Sequence, residues 1–183
     1  MVETRLRCSY DYARDLRPEL SELEFREVWE RIVNTGRRFD NLYLAHTPQI
    51  LARIPSCSGF AWEEYAPGCI DIYLADFAGP SRTNPVTIKI NKSLEKMLLI
   101  LVHELTHLNM PNQVIPTNGF LYEDIVNQIA LKVTGDLSVT CSLGDISFYR
   151  ESLASIGQPI VDIPLGTVSV KEYFNNLSNG DLL

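Results

Sequence analysis

The stretch His103-Glu104-Leu105-Thr106-His107 is the most informative part of the chain, and it lies in a strongly helical segment from Ser93 to Asn109. Each residue of an α-helix advances by about 100°, so histidines four positions apart lie one turn apart on the same face. Their imidazoles can reach one Zn²⁺ ion at about 2.0–2.1 Å. Glu104 lies at the edge of that face, where it can contact a water molecule activated by the metal without being a ligand.

The apolar residues of the same segment support this interpretation. They centre on the side of the helix opposite His103: Leu94, Leu98, Leu101, Leu105 and Leu108. The helix therefore has its own core stripe, and the histidine pair faces away from it. Two of the three histidines of the chain belong to this motif. The alternative, a buried helix with two hydrogen-bonded histidines and a surface glutamate, is disfavoured.

Composition and charge narrow the possible partners. A chain of 183 residues that is 45% hydrophobic suits one ordinary domain, with or without a small appendage. The net charge of −7 disfavours nucleic acid or an anionic membrane as the main partner. Residues 1–7 contain no apolar run that would suit a signal peptide, and the longest apolar run, Met97 to Val102, is far shorter than a membrane span. We expect a soluble, cytoplasmic protein that binds neither nucleic acid nor membrane.

The four cysteines are scattered and form no C-x-x-C pair: Cys8, Cys57, Cys69 and Cys141. Such spacing does not suit a metal knuckle, so we expect reduced thiols in or near the core. A Cys57–Cys69 bridge stays open as an alternative for a disulfide-rich thermophile.

Local patterns before the motif predict a mixture of helices and strands. Residues 1–17 are polar and suggest a loosely ordered lead-in. An amphipathic helix should run from Pro18 to Gly36, where glycine suits the end of a helix. Phe39 to Ala45 suggests a strand, and Thr47 to Ile54 suggests a short helix.

The segments that follow suggest a small sheet next to the motif helix. Phe60 to Tyr65 should pair with Cys69 to Ala75 through a turn at Pro67-Gly68. Residues 76–85 have the composition of a loop, and Val86 to Ile90 alternates as a strand does.

The chain beyond the motif is predicted to be largely helical. The expected elements are a loop at 111–118, a helix at 120–133 ended by Thr134-Gly135, a short helix at 148–156, an irregular stretch at 159–167 and a helix that Ser169 caps. We expect a catalytic core at 1–135, which includes the N-terminal helix. Residues 136–183 should form an extension that packs on the core or covers the cleft.

A catalytic zinc site needs a third protein ligand and an open position. His46 lies far upstream, and the metzincin spacing fails because positions 110 and 113 hold Met110 and Gln113. Glu123, on the next predicted helix, is the best candidate. On that helix Glu123 and Asn127 flank the apolar stripe, whereas Asp124 should point away from it and interact with the helix dipole.

From residue 86 to residue 133 the chain resembles the gluzincins, in which H-E-x-x-H is followed by a helix bearing Glu-x-x-x-Asp or Glu-x-x-x-Asn. Here the second motif is Glu123-Asp124-Ile125-Val126-Asn127. The short gap after His107 and the asparagine at 127 are similar to compact members such as the minigluzincins and the ImmA/IrrE-type peptidases. The resemblance implies one zinc ion per chain, bound by His103, His107 and Glu123, with Asn127 supporting His103.

The resemblance also implies a fold. We expect an α+β, zincin-like protein in which a small mixed sheet packs on the motif helix and on the glutamate-bearing helix after it. Zincins place an antiparallel edge strand along the cleft, upstream of the motif helix. The segment Val86-Thr87-Ile88-Lys89-Ile90 is in position for that, and a peptide could add to it through main-chain hydrogen bonds.

The expected activity is hydrolysis of peptide bonds in a peptide or an unfolded protein, by an endopeptidase rather than an exopeptidase. Glu104 would act as general base toward the activated water. The candidates for a second oxyanion donor are Tyr122, Tyr149 and Arg150, and the sequence does not choose among them. A zincin-fold regulatory or binding protein with little or no activity, and a hydrolase of a non-peptide amide, stay open as alternatives.

Overall fold

The computed structural model describes residues 2–62, 68–90, 93–110, 119–139 and 146–179, which form an α+β fold. The elements follow in the order β1 (Glu3–Arg7), α1 (Tyr10–Asp15), α2 (Glu22–Ser58), β2 (Cys69–Ala75), β3 (Arg82–Thr83), β4 (Val86–Lys89), α3 (Leu94–Asn109), α4 (Gly119–Asp136), α5 (Ile146–Ser155) and α6 (Val170–Asn179). Among these residues, no helix is both long and apolar enough to cross a membrane.

The four strands form one mixed sheet in the order β1-β2-β4-β3. The first three are parallel to one another, and β3 is antiparallel to β4. The predictions of β2 and β4 are confirmed, except that β4 ends one residue early, at Lys89. The predicted pairing of Phe60–Tyr65 with β2 is wrong, because the neighbours of β2 are β1 and β4. Residues 63–67 of that segment lie outside the described residues.

The N-terminal segment is ordered, contrary to prediction. β1 adds to the sheet in register with β2, pairing Glu3 with Cys69. In α1, Ser9 caps the first turn by accepting the Tyr12 amide, and the Tyr12 hydroxyl lies 2.7 Å from Thr87 Oγ1 on β4. This polar segment has no clear pattern of buried residues. It is ordered because it pairs with the sheet, and the local sequence does not reveal that pairing.

The largest difference from prediction is α2, a single helix of 37 residues where we predicted a helix, a strand and a second helix. Its buried positions recur every three or four residues through Gly36 to Phe39 and Tyr43, which is the helical period. Gly36 does not end the helix. A Cβ atom there would lie 2.9 Å from Cys8 Sγ and 3.3 Å from Leu74 Cδ1, so glycine permits close packing on the sheet.

Of the two prolines inside α2, Pro55 has a replacement for the backbone hydrogen bond that it cannot make. Pro55 has no amide proton for the carbonyl of Leu51, four residues earlier. The indole of Trp62 donates to that carbonyl at 2.7 Å and replaces the missing bond. The helix ends at Gly59, whose φ of 82° is left-handed and whose amide donates to Pro55. Pro48 lies further from the end, and α2 continues through it.

The helices after the sheet agree well with prediction. Ser93 caps α3 by accepting the amide of Lys96, and Ser169 caps α6 by accepting the amide of Glu172. α4 runs to Asp136 and therefore passes the predicted stop at Gly135. α3 contacts α2, α4, β3 and β4, so it is the central helix of the fold. The predicted loop at 111–118 lies outside the described residues.

The C-terminal extension packs on the core. α5 contacts α4, and α6 contacts α2. Leu153, Ile163 and Val170 are buried within the main hydrophobic cluster. The thiols of Cys8, Cys57 and Cys69 are free, so the Cys57–Cys69 bridge is not present, and Cys141 lies outside the described residues.

Candidate metal centre

The geometry of α3 brings the two motif histidines together. His103 and His107 lie one turn apart, and their Nε2 atoms are 3.0 Å from each other. Both are partly buried, on a helix whose other faces pack against the core through residues such as Leu98, Leu101 and Leu105. The pair is therefore held on a well-packed helix and remains partly accessible.

Glu123 on α4 completes a group of three. Its Oε2 atom lies 3.5 Å from His103 Nε2 and 3.4 Å from His107 Nε2. A tetrahedral centre with bonds of about 2.0–2.1 Å places its ligand atoms about 3.3 Å apart, so the three atoms fit the donor triangle of a zinc site. Among the residues that the structure describes, this is the group whose donors could hold a metal ion.

Glu123 and His103 each shift the pKa of the other. Burial alone raises the pKa of Glu123, but the hydrogen bonds and positive charges of the two histidines outweigh it and lower that pKa to about 2. Burial lowers the pKa of His103, and Glu123 and Glu104 more than compensate, so the net pKa is raised. Two imidazoles and a carboxylate are also the donor types that a zinc ion takes in proteins.

Asn127 orients the first of the two histidines. Its Oδ1 atom accepts a hydrogen bond from His103 Nδ1 at 2.8 Å, which places the Nε2 lone pair toward Glu123 and His107. Asn127 is 3% exposed and lies one turn beyond Glu123 on α4. One turn of α4 therefore supplies both Glu123, the third donor of the group, and Asn127, the hydrogen-bond partner of His103.

Glu104 is held by a residue that sequence reasoning missed. The Thr83 hydroxyl, on β3, donates to Glu104 Oε2 at 2.7 Å, and the glutamate is only 6% exposed. Thr83 lies in a stretch predicted to be a loop, and no sequence signal distinguishes it from its neighbours. Only the approach of β3 to α3 gives it this role.

A pocket of about 190 Å³ opens beside the side chains of His103 and Glu104. The residues that line it come from the loop before β3, from α3, from α4 and from α5: Pro80, Ser81, Ile100, His103, Glu104, Asn127 and Tyr149. The C-terminal extension thus supplies part of the wall. The pocket is smaller than the usual 300–1,000 Å³ of a site that encloses a drug-sized ligand.

The three candidates for an oxyanion donor are placed differently. The Tyr122 hydroxyl donates to the carbonyl of Met110 at 2.7 Å. The pKa of Tyr122 is raised, mainly by burial and also by the negative charge of Glu123. Arg150 pairs with Asp124 and Asp162. Of the three, Tyr149 is the residue that lines the pocket.

The predicted open edge at Val86–Ile90 is wrong. β4 lies between β2 and β3, and Val86, Thr87 and Ile88 are buried. Beyond the ladder, the Lys89 amide donates to Ser81 Oγ and the Ile90 amide donates to the carbonyl of Ala75. The outer strand on the side of the site is β3, which the sequence did not reveal because it has only two residues.

Asp124 points away from the histidines of α3, as predicted, but its surroundings differ from prediction. It does not point to solvent but is fully buried, and its carboxylate accepts hydrogen bonds from Arg150 Nε at 3.0 Å and Gln128 Nε2 at 2.8 Å. The apolar stripe of α4 indicates only the side that packs on α3. The C-terminal extension covers the opposite side of α4, and the sequence pattern of α4 carries no sign of that contact.

Comparison of the chain with models of known families, with curated proteins and with solved structures gives no match. The functional interpretation therefore rests on the geometry of the site.

Proposed function

We propose that this protein is a zincin-like, zinc-dependent peptidase with one zinc ion per chain. One observation carries the proposal: donor atoms of His103, His107 and Glu123 lie 3.0–3.5 Å from one another beside the pocket that Glu104 lines. A carboxylate that adjoins a metal-binding set without belonging to it suits a general base.

The residues around the three proposed ligands have separate roles in the reaction. Zinc, when bound, supplies the Lewis acidity that activates a water molecule and polarises a carbonyl group. Glu104 takes the proton of the attacking water and passes it to the leaving amine, and the Thr83 hydroxyl holds one of its carboxylate oxygens. Asn127 keeps His103 in the tautomer that directs Nε2 into the site.

The position of β3 favours a peptide as the substrate. β3 is the outer strand on the side of the site and runs antiparallel to β4. It contacts the motif helix, and its Thr83 donates to Glu104. An extended peptide that pairs with β3 would pass beside the proposed base. The role that we first expected for Val86–Ile90 therefore passes to Arg82 and Thr83.

Metal analysis combined with a cleavage assay tests this proposal. Purified protein reconstituted with zinc should contain about one zinc ion per chain and should cleave an unfolded protein such as casein. A chelator should abolish cleavage and added zinc should restore it. Glu104→Gln should keep zinc and lose about 10²–10⁴-fold in rate, because general acid–base catalysis contributes that much.

Other results would replace the proposal. A fully active Glu104→Gln variant would exclude Glu104 as the base. Stoichiometric zinc without cleavage of casein would favour the regulatory or binding alternative. Absence of zinc after reconstitution would exclude the metal site.

A further inference from the structure

The buried carboxylate of Asp124 lies next to the metal-binding Glu123 in the chain but takes no part in the donor triangle. Its side chain is 0% exposed, and Arg150 on α5 is its cationic partner at 3.0 Å. A second carboxylate, Asp162, lies 2.6 Å from the same guanidinium, but its side chain is 77% exposed. Since a buried charge is costly unless it is paired, the structure depends far more on Asp124 than on Asp162.

A second contact point lies one turn further along α4. The side-chain amide of Gln128 donates to the carbonyl of Val161 at 2.7 Å, and its oxygen accepts the amide of Ile163 at 3.1 Å. The same amide group also donates to Asp124. Asp124 and Gln128 therefore bind α5 and the segment that follows it to the metal-binding helix.

The residue that precedes Arg150 is Tyr149, which lines the pocket together with His103 and Glu104. The position of this pocket wall therefore depends on the residue that Asp124 holds. We propose that Asp124 and Arg150 are a positioning pair that fixes Tyr149 in the pocket wall, so that substrate turnover depends on a carboxylate outside the metal-binding set. This inference rests on the proposed function, and it assigns Tyr149 to contact with the substrate.

The pair acts through geometry and not through the metal. Asp124 faces α5, whereas Glu123 faces the histidines. Loss of the pair should loosen residues 146–163 and leave the three donors in place. Displacement of a positioning group by about 1 Å can cost about 10²-fold in rate, so a measurable effect on turnover is expected.

The test uses full-length, zinc-loaded protein with the isosteric variant Asp124→Asn. Asp162→Asn is the matched control, since it removes the other carboxylate that contacts Arg150. Hydrogen exchange should quicken about 10- to 100-fold in residues 146–163 of Asp124→Asn, because Arg150 loses its buried counter-charge and one of the two acceptor oxygens becomes a donor. Its kcat/KM should fall about tenfold or more with zinc affinity unchanged, and Asp162→Asn should behave as wild type.

A double variant separates positioning from a general structural role. If Asp124 acts through Tyr149, then Asp124→Asn should cause no further loss of kcat/KM in a Tyr149→Ala background. Additive losses, unchanged exchange in residues 146–163, or a fall in zinc affinity that matches the fall in activity would overturn the inference. An inactive wild-type protein would instead refute the proposed function, and the exchange measurement would still show whether the pair holds the segment.

Discussion

The two faces of α4 carry consecutive carboxylates in opposite environments. Glu123 is 30% exposed and faces two histidines, whereas Asp124 is completely buried and faces an arginine. The first face is partly open, as the proposed metal and substrate site requires. The second is closed, as a buried ion pair requires. In our proposals, two acidic residues side by side serve metal binding in one case and placement of a pocket wall in the other.

The largest expected effect separates these two faces. Glu123→Ala removes a donor from the triangle and should lower zinc affinity by well over about 100-fold, since loss of a mere supporting partner costs about 10–100-fold. Asp124→Ala should leave zinc affinity nearly unchanged, because its carboxylate faces α5. Titration of both variants against a zinc-buffering chelator measures the contrast.

The stability of the metal-free protein should show the reverse order. Asp124→Ala leaves Arg150 without its buried partner and should lower the free energy of unfolding by about 1–3 kcal/mol. Glu123→Ala, at a partly open position, should change it less. Chemical denaturation in the presence of a chelator gives both values. If one variant had the larger effect on both zinc affinity and stability, the two faces would not be independent.

A smaller effect is expected from the support of His103 on the open face. Asn127→Ala removes the acceptor of the Nδ1 proton and should lower zinc affinity by about 10–100-fold. Asn127→Asp keeps an acceptor at the same position and should retain most of the affinity. Equal affinity in the alanine and wild-type proteins would show that packing alone orients the ring.

The smallest effect concerns Thr83, whose hydroxyl holds the proposed base from the side of the sheet. Thr83→Val keeps the shape of the side chain but removes the donor to Glu104, and it should lower kcat about tenfold, because a hydrogen bond to a charged group is lost. Thr83→Ser keeps a hydroxyl and should stay close to wild type. Zinc content should not change in either variant, and a Val variant as active as the Ser variant would remove Thr83 from the site.

The helices α3 and α4 could be predicted because their signals are local. Ser93 supplies a cap, the leucines supply a helical period, and the spacing of His103 and His107 sets their distance within one rigid element. In α2, by contrast, Gly36 and Pro55 are local signals that oppose a helix. Close packing of Gly36 against Cys8 and Leu74, which are distant in the chain, outweighs the first signal, and the hydrogen bond from the Trp62 indole outweighs the second.

The amino-acid sequence by itself determined the chemistry of the candidate centre, because a helical repeat brings its own side chains together without help from the rest of the fold. It also identified Glu123 and Asn127 as the residues of α4 that flank its interface with α3. Only the tertiary structure decided the order of the strands, the contact of Thr83 with Glu104 and the burial of Asp124. Each of these depends on which segments, far apart in the chain, pack against each other, and periodicity within one segment carries no information about its neighbours in space.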